Sequence, residues 1–229
     1  MKRNTLFVVS IAAILLITAS VLSAQTVVME NDFSSSGKIQ AAYGSWKVQN
    51  GKLTQADVTS PLAKCNIEVA QSGVMQYEFD LYYEKGGYED LKGGFGIQIF
   101  VDKANKGKSW GNGKSYLLWL NYDEKPTYGG AGARAQVYKS TSDTRMALLP
   151  GYDLLLPAAA LAYDLRTVRI PVKLVIDSNT GDAKVYDPIT PNWVWKFKLD
   201  AAPGKGSFLS FRTNSVSVSI DNLKVTKLQ

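Results

Sequence analysis

The sequence predicts an all-β fold made of two antiparallel sheets packed face to face. Apolar and polar residues alternate with period two in roughly a dozen short runs, a pattern typical of strands with one buried and one wet face. Gly, Asn, Asp and Pro separate these runs, as they do at the turns between antiparallel strands. So many strands do not fit one flat sheet, and we therefore expect a sandwich.

The chain begins with a segment, residues 1–24, that is predicted to be a secretory signal peptide. A basic start at residues 2–3 and an apolar run to Leu22 precede the small residue Ala24, which gives the three parts of such a signal. The apolar run approaches the roughly 20 residues that span a bilayer, so an uncleaved anchor is the alternative. We expect a periplasmic or extracellular protein in which residues 25–229 form one domain, with no membrane span after cleavage.

The composition excludes several functional classes. The chain contains no His, which excludes Ser-His-Asp catalysis, Cys-His catalysis and zinc sites that need histidine. The formal net charge is +6, of which Lys2 and Arg3 contribute two, and a basic excess favours acidic partners such as anionic glycans or acidic protein surfaces. The lysines are scattered and form no stripe of the kind that binds nucleic acid. The single cysteine, Cys65, alternates with polar neighbours and is expected to be a buried apolar residue outside any disulfide.

Local patterns place the individual elements along the chain. Asn50-Gly51 lies between Val48 and Leu53 and is the strongest short signal for a hairpin. At most one short helix is expected, over residues 156–165, where Pro157 suits a first helical position. The clearest alternating strands are GVMQYEFDLYYE, TVRIPVKLVID, NWVWKFKL and SVSVSI.

The stretch KGKSWGNGKSY, residues 106–116, has the glycines and the Gly-Lys-Ser triplet of a phosphate-binding loop. The motif requires a glycine at the position that Lys108 occupies. It must also open a helix, whereas the following residues, SYLLWLNYD, alternate as a strand does. We therefore expect two strands, GFGIQIFVD and SYLLWLNYD, joined by a polar loop that carries Trp110, and no nucleotide site.

The order of these landmarks resembles the concanavalin A-like, or laminin G-like, jelly-roll superfamily, and especially its bacterial extracytoplasmic modules. The resemblance covers about Val27 to Leu228, from GSWKVQNGKLTQ through YEFDLYY and GGFGIQIFV to GSFLSFRTNSVSVSIDNLKV. It implies a jelly roll in which Trp46 lies in the core and Asp221-Asn222 closes a turn. This fold hosts lectins, glycosidases and structural proteins alike, so the resemblance does not decide the activity.

An enzymatic hypothesis depends on Glu78, Asp80 and Glu84. The resemblance implies the Glu-x-Asp-x-Glu motif of family 16-type glycoside hydrolases, and only Glu78 and Asp80 match it. Along an extended strand Glu78 and Glu84 would lie roughly 20 Å apart, whereas the carboxyl pair of a hydrolase is separated by about 5–9.5 Å. We therefore favour a solvated strand face and keep the hydrolase as a second alternative.

Calcium is the one cofactor for which the sequence offers candidate ligands. The stretch DSNTGD supplies Asp177, Asn179 and Asp182, whose oxygen atoms are suitable ligands for this ion. The stretch lacks the EF-hand pattern and is typical of a hairpin turn between two strands. We therefore favour a turn and expect no cofactor.

Binding of a glycan or of a cell-envelope surface, without catalysis, is the function that the sequence favours. Tyr88, Trp110 and Tyr128 lie in Gly-rich loops, and Tyr82 and Gln98 are assigned, with Glu78 and Asp80, to a polar sheet face. Sugars are recognised by aromatic faces and a few polar groups in a concave site. The same aromatic residues would also serve as loop anchors. The alternative function is a structural or interaction protein that binds an envelope protein within a periplasmic assembly, for example a spirochaetal flagellar sheath component.

Overall fold

The computed structural model describes residues 25–86, 93–123, 130–155, 169–188, 190 and 192–228. Within these ranges the chain forms strands and no helix, in two antiparallel sheets that make a sandwich, which confirms the predicted fold class. The expected signal peptide, the candidate helix at 156–165, Tyr88 and Tyr128 lie outside the described residues. The described part of the chain contains no helix long and apolar enough to cross a membrane.

The strands are numbered in chain order. They are β1 (Thr26–Asn31), β2 (Ile39–Tyr43), β3 (Trp46–Gln49), β4 (Lys52–Gln55), β5 (Ala63–Gln71), β6 (Val74–Gly86), β7 (Gly94–Val101), β8 (Lys114–Asp123), β9 (Gly132–Thr141), β10 (Met146–Leu155), β11 (Ile170–Asp177), β12 (Asp182–Tyr186), β13 (Val194–Lys198), β14 (Gly206–Asn214) and β15 (Val216–Lys227).

The strands are distributed over two sheets, which we call sheet A and sheet B. Sheet A has the order β13-β12-β11-β6-β15-β4-β3, with β1 beside β15, and sheet B has the order β10-β9-β8-β7-β14-β5-β2. Consecutive strands β6 and β7 lie in different sheets, as do β14 and β15. Because β14 and β15 each lie in the interior of their sheet, the C-terminal part of the chain connects the two halves of the sandwich.

The core lies between the sheets and consists of the apolar half of each alternating strand. Phe79 of sheet A contacts two aromatic rings of sheet B, with ring centroids 6.1 Å from Phe95 and 5.1 Å from Phe211. Trp46 and Cys65 are buried, which confirms both expectations, and burial raises the pKa of the Cys65 thiol to about 12. Edge-to-face ring pairs of this kind add to the stabilisation that burial of apolar surface provides.

Two local predictions have different outcomes. Asn50 and Gly51 connect β3 to β4 with φ angles of 52° and 69°, the positive pair that a two-residue type I′ hairpin requires. Asp221-Asn222 does not close a turn, so that prediction is wrong. Asn222 lies inside β15, where the register with β6 shifts, and its φ is 52°. Asn tolerates this left-handed backbone at a bulge as it does at a turn, so the residue type does not separate the two cases.

Candidate functional site

The outer face of sheet B carries a row of side chains that are cross-strand neighbours. Asp153 of β10 pairs with Gln136 of β9, Gln136 with Trp119 of β8, Trp119 with Gly96 of β7, and Gly96 with Arg212 of β14. Each position belongs to the polar half of its strand, one residue away from a core position, because successive side chains point to opposite faces. The row thus aligns a carboxylate, an amide, an indole and a guanidinium on one surface.

Trp119 lies across the backbone of the neighbouring strand β7. A Cβ on Gly94 would lie 2.6 Å from Cε2 of the indole, and a Cβ on Gly96 would lie 2.6 Å from Cε3. The ring therefore spans two successive outward positions of β7, and the missing side chains of the two glycines provide its space. Trp119 remains partly exposed, so its ring forms a platform on the sheet.

A chain of hydrogen bonds runs beside this platform. The Tyr138 hydroxyl donates to Oε1 of Gln136 at 3.0 Å, and the Gln136 amide donates to Oδ1 of Asp153 at 3.0 Å. Arg134 donates to the same Asp153 oxygen at 2.7 Å, and the side chains of this ion pair are 2% and 9% exposed. Because each member of such a network orients the next, the polar groups beside Trp119 are held in fixed positions.

Asn121 lies next to this network, as the cross-strand neighbour of both Gly94 and Arg134. Its Oδ1 atom is buried and has no hydrogen-bond partner among the described residues. Buried polar atoms are nearly always paired in folded proteins. Asn121 lies two residues along β8 from Trp119, so this unpaired acceptor belongs to the layer beneath the platform.

The connection between β7 and β8, residues 102–113, lies across the outer face of β5 and β14. Lys64 of β5 donates to Oγ of Ser109 at 2.8 Å and to the carbonyl oxygen of Gly111 at 3.4 Å. Asn66, also on β5, accepts from the Asn112 amide at 2.9 Å. The connection explains why polar side chains on the outside of a sheet are fully buried here.

Arg212 fixes the exposed aromatic residue of this connection. Its guanidinium donates to the carbonyl oxygens of Trp110 at 3.1 Å and Ser109 at 3.0 Å, and to Oε1 of Gln98 at 2.8 Å. The Trp110 residue is 53% exposed. Because β14 is two strands from β8, the anchored backbone lies about 10 Å from the strand that carries Trp119. Trp110 thus lies at the rim of the surface whose floor is Trp119.

Two buried cations, Lys64 and Arg212, underlie the connection. Burial lowers the pKa of the Lys64 ammonium to about 8, the charge of Arg212 adds to this effect, and Asp143 opposes it. Burial also lowers the pKa of the Arg212 guanidinium to about 10. Within the described ranges neither side chain forms a salt bridge, and both are held by neutral hydroxyl, amide and carbonyl oxygens.

The structure does not bring all of the predicted binding residues together. Gln98 lies on the outer face of sheet B beneath the 102–113 connection and is fully buried, with its amide donating to Ser115. Tyr82 lies on the outer face of sheet A, and Nζ of Lys52 is 3.4 Å from the centroid of its ring. The expected common face for Tyr82 and Gln98 is therefore wrong. Alternation shows which residues of one strand share a face, but β6 and β7 belong to different sheets.

The carboxylates of the hydrolase hypothesis also lie on the outer face of sheet A. Asp80 accepts from Arg169 at 3.2 Å and from the Asn222 amide at 2.8 Å. Glu78 forms an ion pair with Lys173 at 3.4 Å. Glu84 is exposed, further along the same continuous strand β6. Asp80 is thus held by Arg169, just before β11, and by the Asn222 amide, and Glu78 is paired with Lys173 of β11.

The residues considered for calcium lie where β11 connects to β12: Asp177 ends β11, Asn179 lies between the strands and Asp182 begins β12. Oδ1 of Asp177 accepts from the backbone N–H of Asn179 at 2.8 Å, and Oδ2 of Asp182 accepts from the Thr180 hydroxyl at 2.7 Å. These bonds are those of an ordinary Asx-type turn, as the sequence indicated. In the described ranges no three His, Cys, Asp or Glu side chains come close enough to hold a metal ion.

A depression of about 800 Å³ lies beside β1 and is lined in part by Glu30, Asp32, Lys38 and Lys224. None of its lining residues is aromatic, and Lys224 is paired with Glu30 at 2.8 Å. The outer face of sheet B, with two partly exposed indoles and an oriented polar network, is the better candidate site.

Comparison with solved structures gives the fold a name. The chain is similar to a carbohydrate-binding module, CBM66, from Bacillus subtilis, with a TM-score of 0.53, 12% identity and coverage of 81% of this chain and 93% of the other. The fold is a jelly-roll β-sandwich. The CBM2 module of the evolved Dit of Lactobacillus casei BL23 phage J-1 gives a TM-score of 0.58 at 9% identity, covering 89% and 96% of the two chains. The potassium-bound carbohydrate recognition domain of Emp46p gives 0.57 at 13%, covering 87% and 95%.

No protein-family model and no curated protein matches the sequence of this chain.

The sequence predicted that Trp119 lies in a strand but did not indicate that it belongs to a site. It also did not predict that the candidate site would include Asn121, Arg134, Gln136, Tyr138 and Asp153. A signal for Trp119 was present in GGFGIQIF, because two outward glycines on a strand leave room for a large ring from a neighbouring strand.

Proposed function

We propose that this protein is an exported, non-catalytic carbohydrate-binding module whose site is the outer face of sheet B around Trp119. The observation that carries the proposal is the Trp119 platform, with the Tyr138–Gln136–Asp153–Arg134 network beside it.

Export of the protein is proposed because a signal peptide is expected at residues 1–24. N-terminal sequencing of the protein from its native host tests for export. A start at Gln25 is the expected result, whereas an intact N-terminus in the cytoplasm would contradict it.

The chemistry of the site suits a sugar. An indole ring offers a flat apolar surface to the C–H face of a pyranose, and it does so with little entropy to lose. The amide of Gln136 and the carboxylate of Asp153 lie on adjacent strands beside it, and their hydrogen bonds with Tyr138 and Arg134 fix the polar edge of the platform. Trp110, at the rim, supplies a second aromatic surface for a longer oligosaccharide. The similarity to chains that are themselves named as carbohydrate-binding modules and a carbohydrate recognition domain supports this reading.

The test is a glycan-array screen followed by calorimetry on the best ligand, with the wild type, Trp119→Ala and Trp110→Ala. We expect Trp119→Ala to weaken binding by about tenfold or more, the equivalent of about 1.4 kcal/mol, and Trp110→Ala to weaken binding of long ligands more than of short ones. Trp193→Ala is the matched control, because Trp193 is 63% exposed and lies immediately before β13, at the edge of sheet A. Equal affinity of wild type and Trp119→Ala, or equal losses in Trp119→Ala and Trp193→Ala, would exclude this site.

One observation favours the alternative, a structural or interaction protein that binds an envelope component. Leu120 and Leu154 are 48% and 52% exposed and are aligned through Ala135 on the inner face of sheet B. Exposed apolar rows of this kind occur at protein–protein contacts. Sedimentation velocity over a range of concentrations, with a Leu120→Ser and Leu154→Ser double variant, tests for self-assembly. A protein that stays monomeric at every concentration would show that it does not self-assemble under these conditions, which contradicts that form of the alternative.

A further inference from the structure

We propose that the sheet B site binds an anionic glycan, whose carboxylate, sulfate or phosphate groups contact a basic rim formed by the β7–β8 connection. This inference rests on the carbohydrate-binding function proposed above and specifies the class of its ligand. The rim is defined by Lys103, Lys106 and Lys108 of the connection and by Lys114, the first residue of β8.

The rim carries positive charge that the protein itself does not neutralise. All four lysine side chains belong to exposed residues. None of them forms a salt bridge in the part of the chain that the structure describes. In sheet A, Lys173, Lys198 and Lys224 are each paired with a carboxylate, whereas Lys184 and Lys196 form no salt bridge among the described residues and serve below as the control.

The two acidic residues near the rim are engaged by the backbone. Oδ1 of Asp102 accepts from the N–H of Lys114 at 2.7 Å, and Oδ1 of Asp143 accepts from the N–H of Gly113 at 3.2 Å. Both carboxylates therefore shape the ends of the connection, and neither is paired with a rim lysine. The exposed Glu68 of β5 also lies on this outer face, so four rim cations stand against three anions before Lys64 and Arg212 are added.

The buried cations beneath the connection add to this excess. Lys64 and Arg212 lie under Ser109 and Gly111, with only neutral oxygen atoms as hydrogen-bond partners. Charges in a poorly solvated region act over a longer range than charges in water. Together with the rim lysines, these buried cations make this surface positive, and low-dielectric walls raise the local concentration of anions beside such a surface.

The geometry joins this rim to the sugar platform. Arg212 fixes the carbonyl groups of Ser109 and Trp110, and Lys108 precedes them directly in the chain. Arg212 is also the cross-strand neighbour of Gly96, on which Trp119 lies. Gly107, between Lys106 and Lys108, donates its backbone N–H to the carbonyl oxygen of Ala42 in β2 at 2.9 Å, and β2 is four strands, about 19 Å, from β8. A polysaccharide stacked on Trp119 therefore reaches these lysines when several of its residues extend from the platform across β14 and β5.

The experiment compares glycans that differ in charge. Binding of dextran, dextran sulfate, polygalacturonate and a phosphorylated mannan is measured by calorimetry at low and at physiological salt. The sulfate, carboxylate and phosphate arms distinguish the sources of the negative charge. Lys106→Gln/Lys108→Gln removes two rim charges, and Lys184→Gln/Lys196→Gln is the charge-matched control, because Lys184 and Lys196 are exposed cross-strand neighbours at the edge of sheet A.

We expect the rim double variant to bind at least one anionic glycan about tenfold more weakly at low salt, with a shallower salt dependence, while the control pair binds like wild type. Trp119→Ala must weaken the same interaction. Equal losses in the two double variants would mean general adsorption of polyanions and would overturn the inference. If the protein binds neutral glycans through Trp119 and the rim double variant binds them as well as the wild type, the inference of an anionic ligand is overturned. The proposed carbohydrate-binding function is then unaffected. Failure of every glycan to bind would remove the proposed function itself.

Discussion

The indole of Trp119 fills the space that a side chain on Gly94 would need. The three atoms that an added Cβ would meet first all belong to that ring, and Cε2 would lie 2.6 Å away. Gly94 is in ordinary extended backbone within β7, so its conformation does not require glycine. The residue is small because the neighbouring strand lays a ring over it, and this contact sets the height and tilt of the platform.

Gly94→Ala is therefore expected to weaken glycan binding about as much as Trp119→Ala does, while the protein stays folded. The new methyl group overlaps the Trp119 ring and must displace it. Overpacking of this kind lowers the free energy of unfolding by about 1–3 kcal/mol. Calorimetric titration gives the affinity, and urea unfolding gives the stability.

The Gly94→Ala/Trp119→Ala double variant is the control for this mechanism. Once the ring is absent, the methyl group has nothing to displace, so the two substitutions together should bind no more weakly than Trp119→Ala alone. Additive losses of affinity would show that Gly94 acts on the site by another route.

Lys64→Met is expected to change how stability depends on pH. The pKa of Lys64 in the folded protein is about 8, below the value of about 10.4 in an unfolded chain. Between these values the unfolded state binds more protons, so the wild-type free energy of unfolding rises with pH from about 8 to about 10. Methionine removes this contribution, and the curve of the variant should be flatter over that range. Urea unfolding at intervals between pH 7 and pH 10 measures both curves.

The sign at neutral pH follows from the same argument. Below pH 8 the folded wild type holds a buried ammonium without a carboxylate partner, which is unfavourable, so Lys64→Met should be at least as stable as the wild type there. Lys184→Met, on an exposed residue, is the matched control and should leave the slope unchanged. A Lys64→Met curve parallel to that of the wild type would show that Lys64 keeps an ordinary pKa.

Cys65 should be unreactive toward Ellman's reagent at pH 8 in the native protein. It is fully buried and burial raises the pKa of its thiol to about 12, so the thiolate that attacks the reagent is scarce and inaccessible. The same protein in denaturant serves as the control and should react with one equivalent. Rapid labelling of the native protein would mean that β5 opens locally, since Cys65 pairs there with Phe211 of β14.

The strands could be predicted from the sequence because their information is local. The alternation of Met75, Tyr77 and Phe79 identifies one buried face of β6, and positive φ at Asn50 and Gly51 is a property of those two residues and their neighbours. The bulge at Asn222 shows the limit of such rules, since the same left-handed residue suits a turn or a bulge. Only its pairing partners on β6 decide between them.

The candidate site could not be predicted in the same way because its members are distant in the chain. Trp119 and Gly96 meet through strand pairing, and Arg212 reaches the carbonyl of Trp110 from a strand that lies near the C-terminus. Gln98 and Tyr82 have similar local patterns, yet they lie on opposite outer surfaces of the sandwich. Their sheets are chosen by where the chain crosses between β6 and β7, which alternation does not encode.

The sequence by itself determined the all-β sandwich, the hairpin, the strands on either side of Trp110 and the burial of Cys65, because each depends on a periodic pattern or on the preference of a few adjacent residues. Only the tertiary structure decided which polar faces exist as surfaces. It placed the 102–113 connection over β5 and β14, buried Lys64 and Arg212 beneath it, and left Trp119 open beside it. The physical reason is that strand pairing and loop packing join residues across the whole chain, and hydrogen bonds such as those of Arg212 form only when the sheets have assembled.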